Sequence, residues 1–354
     1  MSRFLSSLYS SLKEYVPGEQ PQDKKYVKLN TNESPFPPSP GVVAAVTDEE
    51  VKKLCLYSDP ESKLLKAKLA ENYSLLSENV FVANGSDDIL NFAFMAFARE
   101  TGAVYPDISY GFYPVFAELY GINSTVIALE DDFSVDYKKY LGIGKMVVIA
   151  NPNAPTGKTL PLCEIEEIVK TNPDNVVLVD EAYVDFGCES AVGLVKKYDN
   201  LLVVQTFSKS RSMAGARLGF AFAAPEIIKD LEKIKYSTNP YNLNRLTQLM
   251  GVKALEEQEY YENNCRTIAE NREFTVKELE KIGFTVIPSK ANFIFAKHNK
   301  ISGEKIYLKL KDKGVLVRHF TSERIKEYNR ITIGTKEQMQ VLIDKLIEII
   351  GEEE

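Results

Sequence analysis

Between about residue 80 and residue 225, short apolar runs alternate with segments whose apolar residues recur at helical spacing. The β-rich runs are Val126–Leu129, Met146–Ala150, Val176–Val179, Leu201–Gln205 and Leu218–Ala223. Helices are predicted over Asp87–Arg99, behind Gly85-Ser86, and over Leu162–Lys170. Short apolar strands separated by helices are the pattern of a mostly parallel sheet covered on its faces.

After Pro240 the pattern changes. A long helical stretch from about 244 to 282 leads into strands around Phe284–Ile287, Asn292–Ala296, Val315–Arg318 and Arg330–Ile333. Helices near Gly303–Lys313 and Lys336–Ile350 complete an α+β unit. Upstream, Pro17, Pro21, Pro35, Pro37, Pro38 and Pro40 predict an irregular arm rather than a packed element. The expected fold class is α/β, a large mostly parallel sheet beside a smaller α+β domain. Residues 1–40 form the arm and part of the small domain, 41–243 the large domain and 244–354 the small C-terminal domain.

Composition narrows the function. The chain has 354 residues, more than one core usually serves. Its 43 Lys plus Arg against 50 Asp plus Glu give a net charge of −7, which argues against a nucleic-acid partner. Cys55, Cys163, Cys188 and Cys265 are scattered without C-x-x-C spacing, a reduced, intracellular pattern rather than a disulfide framework or zinc site. The first twenty residues interrupt their apolar positions with Lys13, Glu14 and serines, unlike a secretory signal. No apolar stretch is long enough to span a membrane, so a cytoplasmic protein is expected. With only His298 and His319, a histidine metal site or a Ser-His-Asp triad is poorly supplied, and no metal is expected.

Four segments fall where strands of the large sheet should end, the place where open α/β sheets bind ligands. Gly85-Ser86-Asp87 opens a helix whose free N–H groups suit a phosphate, although alone it reads as an ordinary capped helix. Asn151-Pro152-Asn153-Ala154-Pro155-Thr156-Gly157 makes a rigid turn after Met146–Ala150. Asp180 ends an apolar strand, with the Tyr183 phenol three residues on. Thr206-Phe207-Ser208-Lys209 ends another, and a lysine there is costly unless it is paired, chemically modified or reaches solvent. A phosphate cup, a carboxylate, a phenol and a lysine at adjacent strand ends are the set that a pyridoxal phosphate site needs.

With these residues in view, the chain resembles the fold-type I pyridoxal phosphate aminotransferases, and within them the histidinol-phosphate aminotransferase branch. The resemblance runs nearly the whole length. It rests on Leu29-Asn30-Thr31-Asn32-Glu33-Ser34-Pro35, Tyr57-Ser58-Asp59-Pro60, the four segments above, and Arg330-Ile331-Thr332-Ile333-Gly334. Thr-x-Ser-Lys with Arg217 eight residues after Lys209 is its most specific signal.

The resemblance implies a role for each position. Lys209 would bind the cofactor aldehyde and move the α-proton, and Asp180 would keep the pyridine nitrogen protonated. Tyr183 would donate to the ring oxygen, and Tyr110 would stack on the ring. Gly85, Ser86, Asp87, Ser208 and Arg217 would form the phosphate cup. Tyr57 would reach the cofactor phosphate of a partner subunit, which makes a homodimer. Where the family commonly has Asn before Pro-Thr-Gly, this chain has Ala154. Either Asn153 replaces it by a small shift, or Tyr183 carries the contact alone. Arg330 and Arg318 would hold the substrate anion, and Tyr15 and Asn32 would close over the substrate ring.

The implied reaction converts histidinol phosphate and 2-oxoglutarate into imidazole acetol phosphate and glutamate. An aromatic amino-acid aminotransferase and a threonine-phosphate decarboxylase share the architecture and stay open. A regulator built on the fold would need a DNA-binding segment, for which motifs beginning near residue 29 leave no room.

Overall fold

The computed structural model describes residues 2–10 and 12–353, leaving aside the side chain of Leu8. Met1, Ser11 and Glu354, inside the expected arm and C-terminal domain, lie outside the described residues. The arm contributes β1 (Val27–Lys28), followed by α1 (Pro40–Ala45), α2 (Asp48–Lys52) and α3 (Lys63–Asn72). Then come β2 (Val80–Ala83), α4 (Ser86–Phe97), β3 (Ala103–Pro106), α5 (Phe112–Leu119), β4 (Ser124–Ile127), β5 (Met146–Ala150) and α6 (Leu162–Thr171). Strands β6 (Val177–Asp180), β7 (Leu201–Thr206) and β8 (Gly219–Ala223) precede α7 (Pro225–Thr238), α8 (Arg245–Glu256) and α9 (Gln258–Lys281). The C-terminal part holds β9 (Phe284–Ile287), β10 (Phe293–His298), α10 (Gly303–Asp312), β11 (Val315–Leu316), β12 (Arg318–His319), β13 (Asn329–Thr332) and α11 (Lys336–Gly351).

Seven strands form the large sheet in the order β2-β8-β7-β6-β5-β3-β4, and only β8 runs against its neighbours. Strands β5, β6 and β7 are buried at every position, which is why they read as continuous apolar runs. Their side chains divide by alternation. Val147, Ile149, Val177, Val179, Leu201 and Val203 enter one core, and Met146, Val148, Leu178, Leu202 and Val204 the other. Helix α6 closes the first core with Ile165, Ile168 and Val169, one apolar stripe at helical spacing. A second sheet, β12-β13-β10-β9, is antiparallel and packs on α9 and α11.

Three expectations need correction. The arm is not merely irregular: β1 pairs in parallel with β11, and Leu29, Asn30 and Asn32 are buried. The prolines lie on either side of residues 22–34 and leave that window free to pair. The strand expected over Val315–Arg318 is two, because Val315–Leu316 pairs with the arm and Arg318–His319 with β13. The helix expected over 244–282 breaks at Glu257, whose carboxylate turns aside to accept the Gly41 N–H at 2.9 Å in the first turn of α1. Ala254 and Leu255 of α8 pack in the core of the large sheet. We therefore propose that the domain division falls in the first turns of α9 rather than at residue 243.

Candidate active site

Each strand that runs into the centre of the large sheet ends in a residue facing one pocket. Asp180 closes β6, Thr206 closes β7 and Lys209 follows it. Ser86 and Asp87 begin α4 after β2, Tyr110 follows β3, and Pro152 and Ala154 follow β5. Arg217 and Tyr183 complete the wall.

Asp180 lies at the pocket's deep end. Its Oδ2 accepts the Tyr113 phenol at 2.7 Å and its Oδ1 the Ala182 N–H at 3.2 Å. Burial pushes its pKa up to about 6, against those two hydrogen bonds, which favour the charged form. Such a carboxylate is short of a cationic partner. The next residue, Glu181, faces the opposite side of the sheet, where Ser190, the Ala191 N–H and Gln205 donate to it. There it ties β6 to β7 beneath the pocket.

Lys209 is half-buried, and its Nζ donates to the Thr31 carbonyl of the arm at 3.2 Å. The Tyr183 ring lies 5.7 Å away, and the Asn32 amide donates to the Tyr183 hydroxyl at 3.0 Å. The amine therefore has a backbone carbonyl and an aromatic wall for neighbours. No carboxylate lies within ion-pair distance of it among the described residues.

At the opposite end no side chain caps α4, so its first N–H groups stay open toward the pocket. Arg217 stands beside them, donating to Asp87 Oδ2 at 3.2 Å, while the Tyr110 hydroxyl donates to Oδ1 at 2.7 Å. Arg217 holds a left-handed backbone with φ of +53°, a strained conformation for a side-chain-bearing residue. Gly85, at φ +90°, admits this arrangement, since a Cβ there would sit 2.5 Å from the guanidinium.

A wider cavity of about 630 Å³ opens from the pocket past Lys209 and Tyr183 to Tyr15, Asn32, Arg318 and Arg330. Arg318 and Arg330 are directly opposite one another on β12 and β13. Like charges so placed repel unless an anion lies between them. Arg330 donates to the Asn30 carbonyl at 2.8 Å and lies over the Phe293 ring, with its Nε buried and without a partner among the described residues. Burial pushes its pKa down. Arg318 holds the arm through the Val16 and Pro17 carbonyls at 3.0 and 3.1 Å. Tyr15 stacks on Phe112 with ring centroids 4.2 Å apart, and burial raises its pKa.

Residues 24–346 match the family model described as aminotransferase class I and II. The chain belongs to that aminotransferase family. A protein of Brachyspira hyodysenteriae named histidinol-phosphate aminotransferase is 49% identical over 352 residues, covering 99% of both chains. One of the same name from a Marinomonas species is 51% identical over 348 residues, covering 97% of this chain and 98% of that one. Among solved structures, histidinol-phosphate aminotransferase from Sinorhizobium meliloti in complex with pyridoxal 5′-phosphate superposes with a TM-score of 0.89. It is 22% identical, and the match covers 100% of this chain and 99% of that one.

The residues of this aminotransferase fit pyridoxal 5′-phosphate, the family's cofactor. An open helix N-terminus beside Arg217 suits its phosphate, and a partner-starved Asp180 suits a protonated ring nitrogen. Of the expected cofactor residues, Ser86, Asp87, Tyr110, Asp180, Tyr183, Ser208, Lys209 and Arg217 line the pocket.

Three expected cofactor residues do not line it: Gly85, which lies behind Ser86 against the Arg217 guanidinium, Asn153 and Tyr57. Asn153 does not line the pocket; Ala154 does. The Asn153 amide donates to the Ile108 carbonyl and Thr156 hydroxyl and accepts from Ser109, so its polar atoms are spent bracing the loop before Tyr110. The small shift that would bring it to the ring oxygen does not occur. Tyr57 is 80% exposed and stacks on Tyr241 at 4.5 Å, outside this chain's pocket.

Sequence reasoning missed Tyr113 and the Thr31 carbonyl. The signal for Tyr113 was present in Tyr110-Gly111-Phe112-Tyr113, where a second phenol follows the first by about one helical turn. A backbone carbonyl leaves no trace in residue type. Among the described residues the four cysteines are free, and no helix is long and apolar enough to cross a membrane.

Proposed function

We propose that this aminotransferase acts as a cytoplasmic homodimer that moves the amino group of L-histidinol phosphate to 2-oxoglutarate. The products are imidazole acetol phosphate and L-glutamate, a step of histidine biosynthesis. The observation that carries the reading is the Arg318–Arg330 pair facing the same cavity as Lys209. Two adjacent guanidiniums suit a phosphate dianion in one half-reaction and the carboxylates of the acceptor in the other.

Pyridoxal 5′-phosphate, when bound, supplies the aldehyde that takes up the amino group and a ring that withdraws electrons. The chain's own groups do the rest. Lys209 Nζ would take the proton from the carbon bearing the substrate amine and pass it, on the same face, to the cofactor's aldehyde carbon, so that the nitrogen stays with the cofactor. The Thr31 carbonyl keeps that Nζ aimed across the pocket. Asp180 would keep a proton on the ring nitrogen, and Tyr113 keeps the carboxylate in place. The Tyr183 hydroxyl, oriented by Asn32, donates to the ring oxygen. Ser86, Asp87, Ser208 and Arg217 hold the cofactor phosphate, and Tyr15 with the arm excludes water from the substrate side.

The test is the ratio of kcat/KM for histidinol phosphate to that for phenylalanine, with carbon dioxide release from phosphothreonine as the control. A preference for phenylalanine would replace this reading with an aromatic aminotransferase, and release of carbon dioxide would make the chain a decarboxylase. Arg318→Ala should lower the ratio, because a lost charge-assisted contact to a buried dianion costs on the order of 2–5 kcal/mol. Phenylalanine offers only a singly charged carboxylate in place of the phosphate dianion. Equal losses on both substrates would leave Arg318 as a latch for Val16 and Pro17 alone.

Support for the dimer comes from Val51, Leu54, Leu56 and Tyr57, large apolar side chains exposed close together in sequence. Mixed dimers of Tyr57→Phe and Lys209→Ala protomers should regain one intact site each, giving activity above either parent. Mixtures that never exceed the parents would keep Tyr57 out of the neighbouring site.

A further inference from the structure

The loop carrying Lys209 is closed by a hydrogen bond from Met213 N to Phe207 O at 3.0 Å. Ser208 faces the pocket. Ser210 and Arg211 are buried on the other side and converge on one acid, Asp185. The Ser210 hydroxyl donates to Asp185 Oδ2, and Arg211 Nη1 lies 3.8 Å from the same oxygen. Asp185 is the one carboxylate within ion-pair distance of Arg211 among the described residues. It sits in the 3₁₀ turn Val184–Phe186, directly after Tyr183. A single carboxylate thus fastens the loop of Lys209 to the turn of Tyr183. Phe207 and Met213 anchor the ends of the loop in the large core, but a cavity of about 290 Å³ lined by Asp185, Phe186, Arg211 and Cys265 lies beneath the junction, so no side chain backs the contact on that side.

We propose that Asp185 is a positioning residue, acting through Ser210 and Arg211 to hold Lys209 Nζ in register with Tyr183. The inference rests on the pocket's reading as a pyridoxal phosphate site. It adds a residue that touches neither cofactor nor substrate.

The experiment uses holoenzyme of Ser210→Ala, Asp185→Asn, the double variant and Ser210→Thr. Three quantities are measured: kcat and KM for the amino donor, the pH midpoint of the visible absorbance of the lysine-bound cofactor, and the melting temperature of each apoprotein. Misplacing a reacting group by a fraction of an ångström should lower kcat on the order of tenfold, with KM within about twofold. The absorbance midpoint should move by more than about half a unit. Because both groups act through one contact, the double variant should be no worse than Asp185→Asn. Ser210→Thr keeps the hydroxyl and should recover most of the loss.

Wild-type kcat and midpoint in Ser210→Ala would overturn the tether, whether or not Asp185→Asn folds. A lowered melting temperature with unmoved kcat and midpoint would also overturn it, as would fully additive losses in the double variant. A wild-type protein that never develops the visible band would instead contradict the reading of the pocket itself.

Discussion

Lys209→Ala protein should lose turnover by at least about 10⁴-fold, the upper range for a general acid–base group, because the same amine also binds the cofactor. No other lysine lines the pocket among the described residues. The arm carbonyl that aims Nζ would have nothing to hold. The loss should fall on both half-reactions equally, since the proton moved in one direction by the amine donor is moved back by the acceptor. Single-turnover absorbance with each substrate in turn measures this. A variant that retains the visible absorbance of a lysine-bound cofactor would remove Lys209 from its part.

Asp180→Asn should have opposite effects on apoprotein and holoenzyme. In the folded apoprotein the Asp180 carboxyl is raised to about 6 by burial, above its ordinary value of 3.8. A folded-state pKa above the unfolded one means that the native chain keeps the proton longer. Stability therefore falls as pH rises from about 4 to about 6, then stays at the lower level. The cost at pH 8 is on the order of 3 kcal/mol. An asparagine has no charge to bury. Its amide oxygen can keep the Ala182 N–H while its NH2 turns to the Tyr113 hydroxyl oxygen, but two charge-assisted bonds become neutral ones, which takes back part of the gain.

Apo Asp180→Asn should accordingly be more stable than the parent by roughly 1–3 kcal/mol at pH 8, and no more stable below pH 4. Denaturant unfolding at the two pH values reads this directly. With cofactor bound the sign reverses, because an amide cannot hold the ring nitrogen protonated. Turnover should fall on the order of 10²–10³-fold, the scale of removing one preorganised electrostatic contact. Equal stability of the two apoproteins at pH 8 would mean that Asp180 ionises there at no cost. Near-native turnover would mean that another group holds the ring proton.

The centre of the fold was legible because burial on both faces leaves a strong mark. Met146–Ala150 was read to the residue, and β6 and β7 to within one. Strands β2 and β3 went unread. Length does not explain it, since β6 is four residues long as well; β3 ends in Pro106, which argues against a strand, and β2 runs within three residues into α4. The pocket side chains were legible because a strand end followed by a chemically costly residue is unusual, as at Asp180 and Lys209.

What stayed hidden depends on direction rather than type. Asn153 and Ala154 are neighbours in one turn, and which of them faces the pocket follows from Asn153 finding Ser109, Ile108 and Thr156 behind it. The arm's burial depends on β11, far along the chain, and no local periodicity reports such a partner. The anion-binding role expected of Arg318 came from the resemblance. The bonds of Arg318 to Val16 and Pro17 show that it also fixes the arm, which required knowing where the arm runs.

The pairing of β1 with β11 also sets an order of events. Val27 meets Val315, and the Leu29 N–H meets the Leu316 carbonyl, so this contact closes a loop of nearly the whole polypeptide. Closing so long a loop is entropically expensive and slow, and it requires that almost everything be synthesised first. The carbonyls that receive Lys209 and Arg330 belong to Thr31 and Asn30, immediately after that pairing. A nascent chain can assemble the seven-stranded sheet while it is still being made. The lysine and the arginine can gain their arm contacts only after β11 has been made.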